Sequence, residues 1–235
     1  EVQMADIQEL IDRQIEYNER IAQEGMQKEY GVSVGANLVK YYGNDVQVRA
    51  RAMAAAGSDA RMSGCLYPVV INSGSGNQGI TVSVPVIEYA KEMGVSHEKL
   101  VRALVFSNLI AIHQKTGIGR LSAYCGAVSA ACGAGAGITY LSGGSYEQIC
   151  ATITNTLANV SGMICDGAKP SCAAKIATAV DAAIMAHCLS MEAEEFQPGD
   201  GIVKDTVENT IESVCEIASQ GMNVTDAKIL EIMVR

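Results

Sequence analysis

The sequence predicts an all-α fold: a single multi-helix bundle with buried Ala/Gly-rich central helices and a Gly-rich structured loop. Three observations carry that reading. Apolar residues recur at helical spacing through most of the chain, and no segment reads as a confident strand. Long stretches near the middle carry no formal charge, as buried helices would. With 23 glycines, abundant alanine, two phenylalanines and no tryptophan, the core is one in which helix backbones can approach closely.

From Met4, the residues Ile7, Leu10, Ile11, Ile15, Ile21, Ala22 and Met26 form an apolar stripe, which predicts a long amphipathic helix ending near Gly31. Its Asp and Glu residues read as a solvated face. Residues 1–31 are taken as an N-terminal helical segment and 32–235 as the main helical domain. Asn37–Tyr42 and Val46–Ala56 read as short helices, the second stopped by Gly57-Ser58. Arg61–Gly79 is too rich in glycine for a regular element and reads as a structured or helix-start loop. Thr81–Met93 resumes a helix with Pro85 in its first turn and Gly94 as its cap, and Ser96 opens another running to about Lys115.

Leu121–Tyr146 is a run of 26 residues without formal charge, and Ile149–Cys165 is a second uncharged run behind the capping-box pattern Ser145-x-x-Gln148. Both predict buried helices. The first exceeds the roughly 20 residues that cross a bilayer. It is mostly Ala, Gly and Ser, however, and Gly133, Gly135 and Gly137 are expected to break its second half, so a bundle helix is favoured over a membrane span. Pro170 is placed in the first turn of a helix through Cys172, Ile176, Val180, Ile184 and Cys188. Beyond the loop Phe196–Gly201, Val203–Gln220 and Thr225–Met233 complete about eight or nine helices.

Composition narrows function. A chain of 235 residues with 49% hydrophobic content can bury a real core. The net charge is −9, and the 17 Lys and Arg residues are scattered without a basic run, so nucleic acid and anionic membrane are excluded as partners. Eight cysteines lie in predicted helices with no signal peptide, which favours a reducing cytoplasm. The opening Glu1-Val2-Gln3 reads as that of a fragment or processed piece. A homo-oligomer is compatible with the composition, which does not fix the state.

The chemistry-bearing residues are cysteines first. Cys165 and Cys172 stand in Ser161-Gly162-Met163-Ile164-Cys165-Asp166-Gly167-Ala168-Lys169-Pro170-Ser171-Cys172, where Asp166-Gly167 can turn the chain back. A thiolate at the N-terminus of the following helix would be stabilised by the macrodipole. Cys125 lies in the charge-free run, and nothing local proves that it joins them. Three thiols on a cubane cluster leave one iron open as a Lewis acid, whereas a fully ligated cluster moves electrons. Any free cysteine in an apolar helix can instead be a small core residue, which is how Cys132, Cys150, Cys188 and Cys215 are read. Cys65, beside the Gly-rich loop, is a candidate fourth ligand if that loop folds over the metal.

Asn72, Ser73, Gly74, Ser75, Gly76 and Asn77, continuing to Gly79, suit backbone N–H groups converging on a small anion, though an ordinary polar turn has the same composition. Neither a Walker loop nor a dinucleotide fingerprint is present. Asp59 and Arg61 could clamp a zwitterion. His113, Lys115, Arg120 and Ser122 precede Cys125, while His97, His113 and His187 read more readily as surface or satisfied core histidines than as acid–base groups. Asp166 serves equally as a turn former or as a hydrogen-bond acceptor behind the metal ligands. The non-catalytic alternative is a helical domain that binds zinc or a small anion through the same residues.

The words Ser58-Asp59-Ala60-Arg61-Met62, Asn72-Ser73-Gly74-Ser75-Gly76-Asn77-Gln78-Gly79-Ile80, Arg120-Leu121-Ser122-Ala123 and Ser161 to Ala168 occur in one order. Together they resemble the L-cysteine desulfidase family, related to the alpha chain of iron–sulfur L-serine dehydratases, from about residue 30 to the C-terminus. The resemblance implies a 4Fe–4S cluster on Cys125, Cys165 and Cys172, and β-elimination from a small L-amino acid without pyridoxal phosphate. L-cysteine would give pyruvate, ammonia and sulfide; L-serine would give pyruvate and ammonia. It also implies a base or nucleophile cysteine in an N-terminal part that this chain lacks, to be supplied by the rest of the same enzyme or by a separate chain.

Overall fold

The computed structural model describes residues 3–235; Glu1 and Val2, which open the predicted N-terminal segment, lie outside them. The described residues form ten α-helices: α1 Met4–Gln27, α2 Val34–Tyr42, α3 Val46–Met62, α4 Gly76–Met93, α5 His97–Ile118, α6 Gly126–Leu141, α7 Tyr146–Val160, α8 Cys172–Met191, α9 Val207–Glu216 and α10 Asn223–Met233. A π-helical turn, Ile217–Gly221, joins the last two. Among these residues there is no sheet, only two isolated bridges, so the all-α expectation holds.

α6 is the axis of the bundle, flanked by α4, α5, α7 and α8. Its glycines do not break it, contrary to expectation. A β-carbon on Gly133 would lie 2.4 Å from the Ser107 carbonyl oxygen, and one on Gly137 would lie 3.2 Å from Val86 Cγ2. These glycines are points of helix contact, and the packing gained there outweighs their poor helix propensity.

Gly57-Ser58 does not stop its helix either, for the same reason. α3 runs through both to Met62, because Gly57 is packed 3.1 Å from Ile80 Cγ2 by the same β-carbon measure and Ser58 is fully buried. Pro85 is not in a first turn either; it lies inside α4, since the Gly-rich loop already becomes helical at Gly76. Proline has no N–H for the Thr81 carbonyl. The neighbouring Val82 carbonyl accepts from Ser107 Oγ at 2.7 Å.

α1 packs against α3 and α4. Its buried face holds Ile11, Ile21 and Ala22 but also Gln14 and Asn18, whereas Leu10 is exposed. Asn18 Nδ2 donates to the carbonyls of Val70 at 3.1 Å and Gly79 at 3.0 Å, and its Oδ1 accepts from the Val70 amide at 2.8 Å. That side chain pins the loop ahead of α4. α8 is the one described helix long and apolar enough to cross a bilayer, and 56% of its apolar window is buried inside the bundle.

Candidate metal centre

Two distant segments are laced together by their backbones. Tyr124 and Ile164 form an antiparallel bridge, the amide of Cys125 donates to Met163 O at 3.1 Å, and the amide of Cys165 donates to Ala123 O at 2.6 Å. Cys125 is therefore the N-cap of α6 rather than a residue within a helix. Cys165 lies beyond the end of α7, not at it. After Cys165, Gly167 at φ 89° reverses the chain, a conformation open to glycine, and α8 begins at Cys172 with Pro170 two residues ahead of it.

Three helix N-termini meet at one cavity of about 110 Å³. α4 contributes Ser75, Asn77 and Gln78, α6 contributes Cys125, Gly126 and Ala127, and α8 contributes Cys172, Lys175 and Ile176. Cys165, Gly167 and Ala168 complete the lining. Each helix start presents free N–H groups and the positive end of a macrodipole, so the cavity favours negative charge. Gly126 makes room for the end of the Gln78 side chain, whose Nε2 would lie 2.5 Å from a β-carbon placed there.

Lys175 adds a cation, paired with Asp166. Burial works against the ammonium, but Asp166 overcomes it and holds the Lys175 pKa above its usual value. The same hydrogen bond holds Asp166 below the usual carboxylate range. Burial pushes the Cys125 thiol up to about 11, with the Ala127 amide opposing the shift. A metal reverses that balance, because coordination removes the thiol proton.

The Gly-rich loop divides between two surfaces. Ser75 and Asn77 line the cysteine cavity, while Ser73 and Gly74 line an adjoining basin with Lys115 and Arg120. Asn72 lines neither: it is buried, and its Nδ2 donates to Asn108 Oδ1 at 2.9 Å. Gly76 lets the Arg61 guanidinium pass, since a β-carbon would lie 2.3 Å from Arg61 Nε. Arg61 Nη1 in turn donates to Asn77 Oδ1 at 3.3 Å.

Other candidates are used elsewhere. Asp59 is buried and accepts from the Gly35 amide at 3.2 Å; residues two apart on a helix do not share a face, so it makes no clamp with Arg61. Burial pushes its carboxyl up to about 6. His113 pairs with Glu208 and His97 with Asp12 at the surface. His187 is buried against Thr139 Oγ1 at 2.9 Å, and burial lowers its pKa. Cys65 lies beside Tyr30 and Lys28 and is not part of the cavity lining. Ser122 Oγ donates to the Ala218 carbonyl at 2.7 Å. Lys175 was missed from the sequence; its one signal is a position three residues after Cys172 on the same helix.

Among the described residues, no three His, Cys, Asp or Glu side chains stand close enough to share a single metal ion. The geometry thus offers no preformed cage for zinc. Three thiols around a cavity at helix N-termini do suit a multi-iron cluster, whose ligands are spread over several metals.

A family model described as serine dehydratase alpha chain matches residues 1–231. The chain is 63% identical over 233 residues to a UPF0597 protein of Lachnoclostridium phytofermentans, covering 99% of this chain and 56% of that protein. Against UPF0597 proteins of Desulfitobacterium hafniense and Treponema denticola the identities are 60% over 232 residues and 55% over 239. Those matches cover 99% and 100% of this chain but 54% and 56% of the relatives, so the chain spans about half the length of the curated relatives it matches. On a match that takes in nearly every residue, the chain belongs to the serine dehydratase alpha chain family.

Proposed function

We propose that this chain is the cluster-binding part of a lyase that β-eliminates a small L-amino acid, L-serine or L-cysteine, with Cys125, Cys165 and Cys172 as ligands of a 4Fe–4S cluster. The observation that carries the proposal is the single cavity that the three cysteines line with Lys175 where α4, α6 and α8 begin. Bound there, the cluster would supply Lewis acidity at an iron without a cysteine ligand. The chain's own residues do the rest of the binding work. The helix N-termini and Lys175 favour an anionic group, and Ser75 and Asn77 offer side-chain hydrogen bonds on the cavity wall. Arg61 orients Asn77 from behind.

Among the described residues, no histidine, Asp or Glu other than the ion-paired Asp166 adjoins the cavity, and we assign the group that takes the Cα proton to the part of the relatives' length that this chain does not span. Loss of hydroxide or sulfide from Cβ leaves an aminoacrylate, which tautomerises and takes up water to release ammonia and pyruvate. Pyridoxal phosphate is not required.

The test is anaerobic reconstitution, with iron and sulfide, of this chain together with the other half of the length seen in its relatives, followed by a pyruvate assay on L-serine and L-cysteine. Broad visible absorbance that bleaches in air, together with pyruvate release from either substrate, supports the proposal. A colourless protein, or a coloured one that releases no pyruvate from either, overturns it.

A further inference from the structure

We propose that the open basin beside the cysteine cavity binds the carboxylate of the incoming amino acid through Lys115 and Arg120, with the Ser73-Gly74 turn as its floor. The basin measures about 700 Å³, and its wall also includes Ile112 and Thr116. The identity of the ligand as an amino acid rests on the elimination reading above; the anion site itself does not.

Charge is the first argument. The chain carries a net −9, and its ion pairs occupy many of its cations. Lys115 and Arg120 have no carboxylate partner among the described residues, although both face the same opening. Two unpaired cations in one recess of an acidic protein make a local positive potential that concentrates small anions. The planar guanidinium matches a carboxylate in two-point geometry, and the ammonium adds a point charge.

The turn is the second argument. Ser73 at φ 49° and Gly74 at φ 82° are consecutive left-handed residues, closed by mutual backbone hydrogen bonds between Asn72 and Ser75 of 3.0 and 3.2 Å. A serine held in that region carries backbone strain, which accumulates where a loop is shaped for a ligand. Neither the Ser73 nor the Gly74 amide donates a hydrogen bond within the described residues. Both are left to face a ligand or solvent.

Position is the third. Ser75, directly after the turn, lines the cysteine cavity, so one short loop borders both spaces. A carboxylate held against the Ser73-Gly74 turn therefore leaves the rest of a small amino acid on the side where Ser75 borders the cysteine cavity.

L-alanine has the carboxylate and ammonium but no leaving group, so it reports binding alone. NMR titration of the natural protein with carboxyl-labelled L-alanine, and separately with L-alaninamide, is compared with Lys115→Gln, Arg120→Gln and Arg120→Lys, with Lys99→Gln, about 24 Å away along α5, as a distant control. Lys115→Gln and Arg120→Gln should each weaken L-alanine about ten- to a hundredfold, the range for one charged hydrogen bond. L-alaninamide should bind the natural protein as weakly as L-alanine binds those variants, Arg120→Lys should recover part of the loss, and Lys99→Gln should change nothing. Undiminished affinity in both Gln variants, equal binding of the amide, or no saturable L-alanine binding overturns the site. Saturable, Lys115-dependent binding with no pyruvate from L-serine or L-cysteine would leave the anion site standing and remove the elimination reading.

Discussion

The amide of Cys165 donates to the carbonyl of Ala123 at 2.6 Å, which fixes one thiol beside another far away in sequence. Backbone hydrogen bonds make this link, and the thiols take no part in it. Cys125→Ser, Cys165→Ser and Cys172→Ser should therefore each fold with unchanged helical circular dichroism. Each should lose most of the iron-dependent visible absorbance after anaerobic reconstitution. A variant that keeps its full absorbance would strike that cysteine from the ligand set.

Close helix contacts should be intolerant of a single methyl group. Gly133→Ala places a β-carbon 2.4 Å from the Ser107 carbonyl, which is backbone and cannot swing aside. Overpacking of this kind costs about 1–3 kcal/mol. Gly162→Ala, where nothing lies within 4 Å, should change stability by less than about 0.5 kcal/mol. Urea unfolding of the two variants side by side measures the difference.

Asp59 gives stability a pH dependence of unusual sign. Its folded carboxyl is raised from 3.8 to about 6 by burial, so between those values the native state holds a proton that the unfolded chain has released. Stability then falls as pH rises through that window and levels off above it. Asp59→Asn keeps an acceptor for the Gly35 amide without the buried charge. It should be more stable than the natural protein by an amount of the order of 2–3 kcal/mol at about pH 7.5, a margin that shrinks toward about pH 4. Urea midpoints at the two pH values check both the sign and the slope.

The start of α7 is a full capping box: Ser145 Oγ accepts from the Gln148 amide at 3.3 Å, and Gln148 Oε1 accepts from the Ser145 amide at 2.9 Å. Ser145→Ala should cost about 1 kcal/mol. Ser145→Gly should cost only a few tenths, because glycine leaves the cap exposed to water. Thermal unfolding of both variants separates the two outcomes.

Most of the helices were legible because each buries one face, and that requirement writes itself into local spacing. The errors share one cause. Gly57, Gly133 and Gly137 read as breakers, yet each is a place where a neighbouring segment comes close, and that neighbour is invisible in a local window. Leu10 fits the apolar spacing of α1 but is exposed, whereas Gln14 and Asn18 take places on the buried stripe, because partners on other segments satisfy their amides. The words around Cys125, Cys165 and Cys172 marked the cysteines as a group. What brings the first two together is main-chain pairing between Tyr124 and Ile164, which any side chains could make. Lys175 has no signature beyond its distance along the helix from Cys172.

Where α4, α6 and α8 begin, much of the attraction for anions is made of amide groups and not of side chains. Amides do not titrate in the range where proteins live, so this part of the attraction is constant while Lys175 and the thiols change state around it. Exchanging one residue does not erase it either. The fold can thus alter which small molecule it admits, by changing the walls, and keep the electrical ground on which any negatively charged guest would settle.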